Sequence, residues 1–238
     1  MNYRDINISI GDVAAALPKA TRIFKEYGID FCCGGHRPLA AVMKEQSLPL
    51  EEVYGRLDQL VTEHENNTET TALPFDQMSS PVLSAYIEDT HHSYLRKALP
   101  EAAELLNTVL RVHGSKHREL FEMYQLFGRL KTDLEQHLLK EENLLFPLLE
   151  NSAASCSCSK DMDSTSEARS LTDEIISEHE AAGEILRKLR SISKDYTLPD
   201  GACATYQKTY SLLEALEQDL HQHIHLENNI LLKDYATH

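Results

Sequence analysis

The chain has 238 residues, 42% of them hydrophobic, and a formal net charge of −15. That length suits one large domain, or a large one with a small one, and the acidity argues against nucleic acid or an anionic membrane as main partner, because phosphate would repel it. No apolar run approaches the ~20 residues that span a bilayer, and the start, MNYRDINISIGD, lacks the basic flank and apolar core of a secretory signal.

The expectation is therefore a soluble, cytoplasmic protein. Its five cysteines, an odd number, would stay as thiols in a reducing compartment. Strand signals are nearly absent, and apolar residues recur at helical spacing. The first ~60 residues read as a small helical unit. Ser9 can cap a helix, Pro18 breaks or restarts it, and Gly28 can end it. Asp30-Phe31-Cys32-Cys33-Gly34-Gly35 follows, then Pro38 and Pro49, each placed to open a helix. The stretch from Glu65, rich in Asn, Thr and Glu, reads as a linker.

Four long helices are expected next. Ser80 as cap and Pro81 at the first helical position start the first, which runs to Val112 with a bend at Pro100. The second covers Lys116 to Leu149. Asn151 to Ser166, Ser-rich and holding Cys156 and Cys158, reads as a flexible insertion, and an accessory metal site at its cysteines is the less favoured reading. The third covers Glu167 to Ser193, and the fourth, opened by Pro199-Asp200, ends near Tyr235. Short or polar connections between long helices predict an up-down-up-down bundle. A unit of ~60 residues is marginal alone, so the small one should dock on something.

The second and fourth helices repeat a pattern. Asp133-Leu134-Glu135-Gln136-His137-Leu138-Leu139-Lys140-Glu141-Glu142-Asn143 aligns with Asp219-Leu220-His221-Gln222-His223-Ile224-His225-Leu226-Glu227-Asn228-Asn229. The preceding helices each supply a histidine: 45 residues separate His92 from His137, and 44 separate His179 from His223. This is the mark of a duplicated helical hairpin. Residues i and i+4 share a helix face, so each His-x-x-x-Glu presents an imidazole and a carboxylate toward one point. Four imidazoles and two carboxylates without thiolates suit iron or manganese better than structural zinc.

A single such pair is weak evidence, because surface His–Glu pairs are common and contribute only tenths of a kcal/mol. Two copies in register, with apolar residues on the same faces (Leu134, Leu144 and Leu148; Leu216, Leu220 and Ile230), argue for a buried site, where six polar groups would be costly without a metal. Periodicity does not separate His91 from His92. Glu88 and His91 form the Glu-x-x-His of ferritin-type sites, which need a second copy that the chain lacks. His221 and His225 are expected to face solvent, and His113 and His117 to sit at a helix junction as surface residues or support for the site. No repeat or spacing in the sequence marks His36, His64 or His238 as a ligand.

Cys32-Cys33-Gly34-Gly35 is a poor packing motif. Its glycines permit close backbone approach and positive φ. A helix opened by Pro38 would favour thiolate at the cysteines just upstream, for metal capture, thiol redox chemistry or reduction of a bound species. Cys203 is expected to pack.

Together these residues resemble the iron–sulfur cluster repair di-iron proteins, the repair-of-iron-centres family. The likeness covers nearly the whole chain: the Cys-Cys unit, His137 to Pro147, Glu178 to Glu184, and His223 to Asn229. It implies an all-α fold, with a small N-terminal helical domain at 1–64, a linker at 65–79 and a hemerythrin-like four-helix bundle at 80–238, the insertion being 151–166. It implies two non-haem irons, oxo-bridged, held by His92, His137, Glu141, His179, His223 and Glu227 with the glutamates as bridges. His92 is chosen over His91 because it keeps the family's distance to Leu99-Pro100. Cys32 and Cys33 would serve in iron transfer or redox chemistry. The implied role is repair of iron–sulfur proteins damaged by nitric oxide or oxygen species, in a cytoplasmic homodimer with no nucleic-acid or membrane partner. Reduction of nitric oxide or peroxide, and reversible oxygen or nitric oxide binding or sensing, are the alternatives. The chain departs from the family pattern at the Ser/Cys insertion and at Leu231-Leu232-Lys233, where a Phe-Pro is usual.

Overall fold

A computed structural model describes residues 2–66, 75–154 and 162–236; Cys156, Cys158 and His238 lie outside them. Among the described residues the regular elements are all helices, with one isolated bridge between Ser9 and Pro38. None of the described helices is long and apolar enough to cross a membrane. The chain forms two compact units, one of residues 84–223, the other of residues 1–83 with 224–238.

In the second of these, four helices follow one another: α1 (Ile10–Ala16), α2 (Ala20–Glu26), α3 (Leu39–Glu45) and α4 (Leu50–Asn66). Ser9 caps α1 by accepting the Asp12 N–H at 3.0 Å, which satisfies one of the amides a helix start leaves over. Gly28, at φ +67°, ends α2 in a conformation glycine adopts without strain. Pro38 caps α3, as its fixed φ favours. The core gathers Ile10, Val13, Phe24, Leu39, Met43 and Leu57, and Ile224 from the far end of the chain joins it. Lys233 pairs with Asp12 at 2.6 Å.

The larger unit is a bundle of helices. Helix α5 (Ser80–Ile87) leads into α6 (Ser93–His113); α7 (Glu119–Lys140) leads into α8 (Phe146–Ala154); α9 (Met162–Ile192) and α10 (Ala204–Leu226) complete it. Leu99 and Leu106 of α6, Phe127 of α7, Leu186 of α9 and Tyr206 and Leu216 of α10 share one core. Several boundaries differ from expectation. The first long helix begins at Ser80, one residue early, and α6 passes through Pro100 unbroken. α8 reaches Ala154 and α9 starts at Met162, so both ends of the expected insertion are helical. The fourth helix starts at Ala204, because Pro199 to Gly201 form a turn in which Gly201 has φ +79°.

Three helices carry a wide π turn: Glu88–His92, Glu141–Leu145 and Glu227–Leu231. Each inserts one extra residue into the ladder, a feature that gathers at functional sites.

Candidate metal centre

Each π turn carries one of the proposed ligands: His92 ends the first, Glu141 opens the second and Glu227 opens the third. His137 and His223 stand one turn before the two glutamates, on α7 and α10. All six side chains are buried, with His92, Glu141, His223 and Glu227 wholly inaccessible.

Their atoms sort into two quartets: His92, Glu141, His223 and Glu227, and His137, Glu141, His179 and Glu227. Within each, the ligand atoms lie within 4.8 Å of one another. Both glutamates belong to both quartets, and Glu141 shows how sharing works. Its Oε1 faces His137 Nε2 at 3.2 Å and His179 Nε2 at 3.8 Å; its Oε2 faces His92 Nε2 at 3.4 Å and His223 Nε2 at 3.9 Å. The Nε2 atoms of His137 and His179 are 3.0 Å apart, and those of His92 and His223 are 3.3 Å apart. Two imidazole nitrogens bound about 2.1 Å from one ion at right angles would stand about 3 Å apart. Two carboxylates buried with four imidazoles are costly unless cations offset their charge. The donor set therefore fits a pair of iron ions.

The histidines are oriented from outside. His92 Nδ1 lies 2.7 Å from Glu142 Oε1, and Glu142 pairs with Arg96. His137 Nδ1 lies 2.8 Å from Glu178 Oε2; Lys140 joins Glu178 and also reaches Glu174 at 2.6 Å. The His137 ring, and then Lys140, hold the Glu178 carboxyl down at about 2 against the upward push of burial. A carboxylate on Nδ1 keeps the proton there and leaves Nε2 free to bind metal. Sequence reading passed over Glu142 and Glu178, although each directly follows or precedes a ligand residue.

His91 is buried as well but lies off the quartets. Its Nδ1 meets Asp219 Oδ1 at 2.9 Å, and its ring stacks on that of His223 at 5.7 Å and 8°. A cavity of about 260 Å³ reaches the His137 and His179 rings between Leu134, Ala182 and Ile185.

In the smaller unit, Cys32 is buried and Cys33 half-buried, neither forms a disulfide, and their sulfurs are 3.8 Å apart. Asp30 accepts from the Cys32 amide at 3.1 Å and from its thiol at 3.2 Å, so the three residues could hold a cation. The expectation of thiolate is overturned for Cys32. The hydrogen bond with Cys33, burial and the nearby Asp30 carboxylate all push that thiol well above its ordinary range. Gly35 serves close approach rather than positive φ: a Cβ there would stand 2.2 Å from Asn229 Oδ1, and one on Gly11 2.3 Å from it. Asn229 donates to the carbonyls of Phe31 at 3.1 Å and Cys32 at 3.2 Å. His225 was expected in solvent but is buried edge-on to Phe31, and burial lowers its pKa to about 4. Cys203, expected to pack, is exposed.

Residues 84–235 match the family described as the hemerythrin HHE cation binding domain, and residues 6–61 match a domain of unknown function, ScdA_N. The chain is 31% identical over 231 residues to the iron–sulfur cluster repair protein YtfE of Yersinia pseudotuberculosis serotype IB (strain PB1/+), covering 97% of this chain and 96% of the relative. YtfE of Yersinia pestis (strain Pestoides F) gives the same figures. The chain belongs to the YtfE iron–sulfur cluster repair family. Membership accounts for the pairing of a cysteine-bearing helical unit with a hemerythrin-type bundle, two features that would otherwise need separate explanations.

Proposed function

We propose that this protein repairs iron–sulfur clusters damaged by nitrosative and oxidative stress, in the cytoplasm and as a homodimer. The observation that carries the reading is the pair of His–His–Glu–Glu quartets sharing both glutamates, in a chain that follows its YtfE relatives from end to end. In this reading the domains are 1–64, a linker at 65–79 and 80–238. His92, His137, Glu141, His179, His223 and Glu227 are the iron ligands. The bound iron pair supplies redox-active ions that can be released to a damaged cluster or bind nitric oxide.

The chain's residues do the rest. Glu141 and Glu227 each serve both ions. Glu142 and Glu178 hold ligand rings in their metal-binding tautomer. Asp30, Cys32 and Cys33 form the station for iron transfer or electron supply, and the partners are damaged iron–sulfur proteins.

The test is reactivation of a nitric-oxide-damaged aconitase-class enzyme by the iron-loaded protein. Wild type should carry about two irons per chain and restore activity. His137→Ala and Glu227→Ala should lose iron and repair together, while the double variant Cys32→Ser, Cys33→Ser should keep iron and lose repair. Full repair by iron-free His137→Ala would sink the reading. The cavity at His137 and His179 favours one further activity, reduction of nitric oxide or peroxide, which steady turnover with an electron donor would reveal.

A further inference from the structure

At the other end of the bundle lies a second group of reactive side chains that cluster repair does not use. Cys203 precedes the first residue of α10, and its carbonyl accepts the Gln207 N–H at 3.0 Å, so it occupies the N-cap position. Its Sγ stands where a capping hydroxyl would, on the side of the Tyr206 and Thr205 amides, which favour its charged form. His113, the last residue of α6, brings Nε2 to 3.3 Å from that sulfur. The His113 ring is held in place: it lies edge-on to Tyr206 at 5.3 Å and beside His117 at 6.3 Å, and His117 is bound by Glu119 at 3.0 Å. Cys203 is exposed. Twenty residues of helix put it roughly 30 Å from His223.

The geometry points to Cys203 as a peroxide-oxidisable thiol, with His113 as its proton partner, in a site separate from the metal centre. A thiolate is the nucleophilic form. The Tyr206 amide, the His113 ring beside the sulfur and the Thr205 amide favour it here, and they bring the thiol pKa down to about 7. The ionisable groups around the sulfur are His113 and His117 at the α6–α7 corner, Glu119 on α7, and Asp200 and Tyr206 on either side of it in the chain. Hydrogen peroxide is the co-reactant. The thiolate attacks one peroxide oxygen, the O–O bond breaks, and sulfur loses two electrons to become a sulfenic acid that keeps that oxygen and its hydrogen. The proton that the thiol gave up to His113 Nε2 passes to the departing hydroxide, which leaves as water.

The experiment uses the full iron-loaded chain. Iodoacetamide alkylation of Cys203, followed by peptide mass spectrometry across pH, reads its thiolate fraction without peroxide or iron chemistry. Wild type should show a midpoint near 7. His113→Gln should move it up by a unit or more and slow alkylation at pH 7 by about 5- to 15-fold, the thiolate fraction lost on return toward an ordinary cysteine pKa of about 8.5. The ultraviolet difference between wild type and Cys203→Ser across pH gives the same midpoint without altering His113. With stoichiometric peroxide at pH 7, dimedone should trap Cys203 in wild type and several-fold less in His113→Gln. An ordinary midpoint in wild type, an unmoved midpoint in His113→Gln, or no dimedone adduct at Cys203 would overturn the inference. Iron content and cluster repair should be the same in Cys203→Ser as in wild type.

Discussion

A histidine binds metal well only when something else fixes its ring, and here the fixing groups are Glu142 and Glu178. Each accepts from the Nδ1 of a proposed ligand and is itself restrained by a cation, Arg96 in one case and Lys140 in the other. Replacing either by glutamine keeps the size but removes the charge that holds the tautomer. Iron affinity in Glu142→Gln or Glu178→Gln should fall about 10- to 100-fold, as changes behind metal ligands commonly do. Competition with a coloured chelator measures it, and an unchanged affinity would rule out the role. The His137–Glu141 and His223–Glu227 pairs were legible in the sequence because i, i+4 spacing is a property of any helix. Glu142 and Glu178 were not, because they act across helices: 50 residues part His92 from Glu142, and 41 part His137 from Glu178.

Among the elements, the π turns decide what periodicity can reveal. One inserted residue rotates everything after it by about 100° relative to a continuous α-helix. Regular spacing from His137 put Leu144 on the buried face; the structure buries Leu145 and Leu149 instead, while Leu144 is 53% exposed. After Glu227 the same shift replaces Ile230 by Leu231. The turn at Glu88–His92 buries both His91 and His92, which is why periodicity left that choice open. Leu145→Ala should therefore cost about 2–5 kcal/mol, and Leu144→Ala under about 0.5 kcal/mol, in urea unfolding of the iron-loaded protein. Equal costs would mean the inserted residue is absent in solution. Gly35→Ala should also destabilise, by about 1–3 kcal/mol of overpacking against Asn229. Most of that loss should disappear in the background Asn229→Ala, since the clash would be gone.

For the whole molecule, metal and fold are linked. A ligand that binds only the folded chain adds stability by mass action, about 4 kcal/mol at a thousand times its dissociation constant. Removing iron with a strong chelator should lower the melting temperature of wild type by several degrees and leave Glu141→Ala, already unable to hold a pair, nearly unmoved. Calorimetry checks both; an unaltered wild-type melting temperature would mean that iron adds nothing to the fold. The all-α architecture was readable from the sequence because helical periodicity and turn residues are local signals. The membership of the smaller unit was not. Its core takes Ile224, and Asn229 anchors Phe31 and Cys32 from 198 and 197 residues away, contacts that no local pattern encodes.

That long-range anchoring reverses the apparent order of the domains. Because residues 1–83 and 224–238 form one unit, the smaller one is the host and the bundle is a guest inserted into it. The chain is synthesised from its N-terminus at about 5–20 residues per second, so the host cannot close until the segment that begins at Ile224 has left the ribosome. For the roughly 7 to 28 seconds that the guest takes to emerge at that pace, the Phe31 and Cys32 carbonyls wait without Asn229. The cysteine pair is thus made before any of the six clustered His and Glu residues, yet locked in place only after all of them have been made.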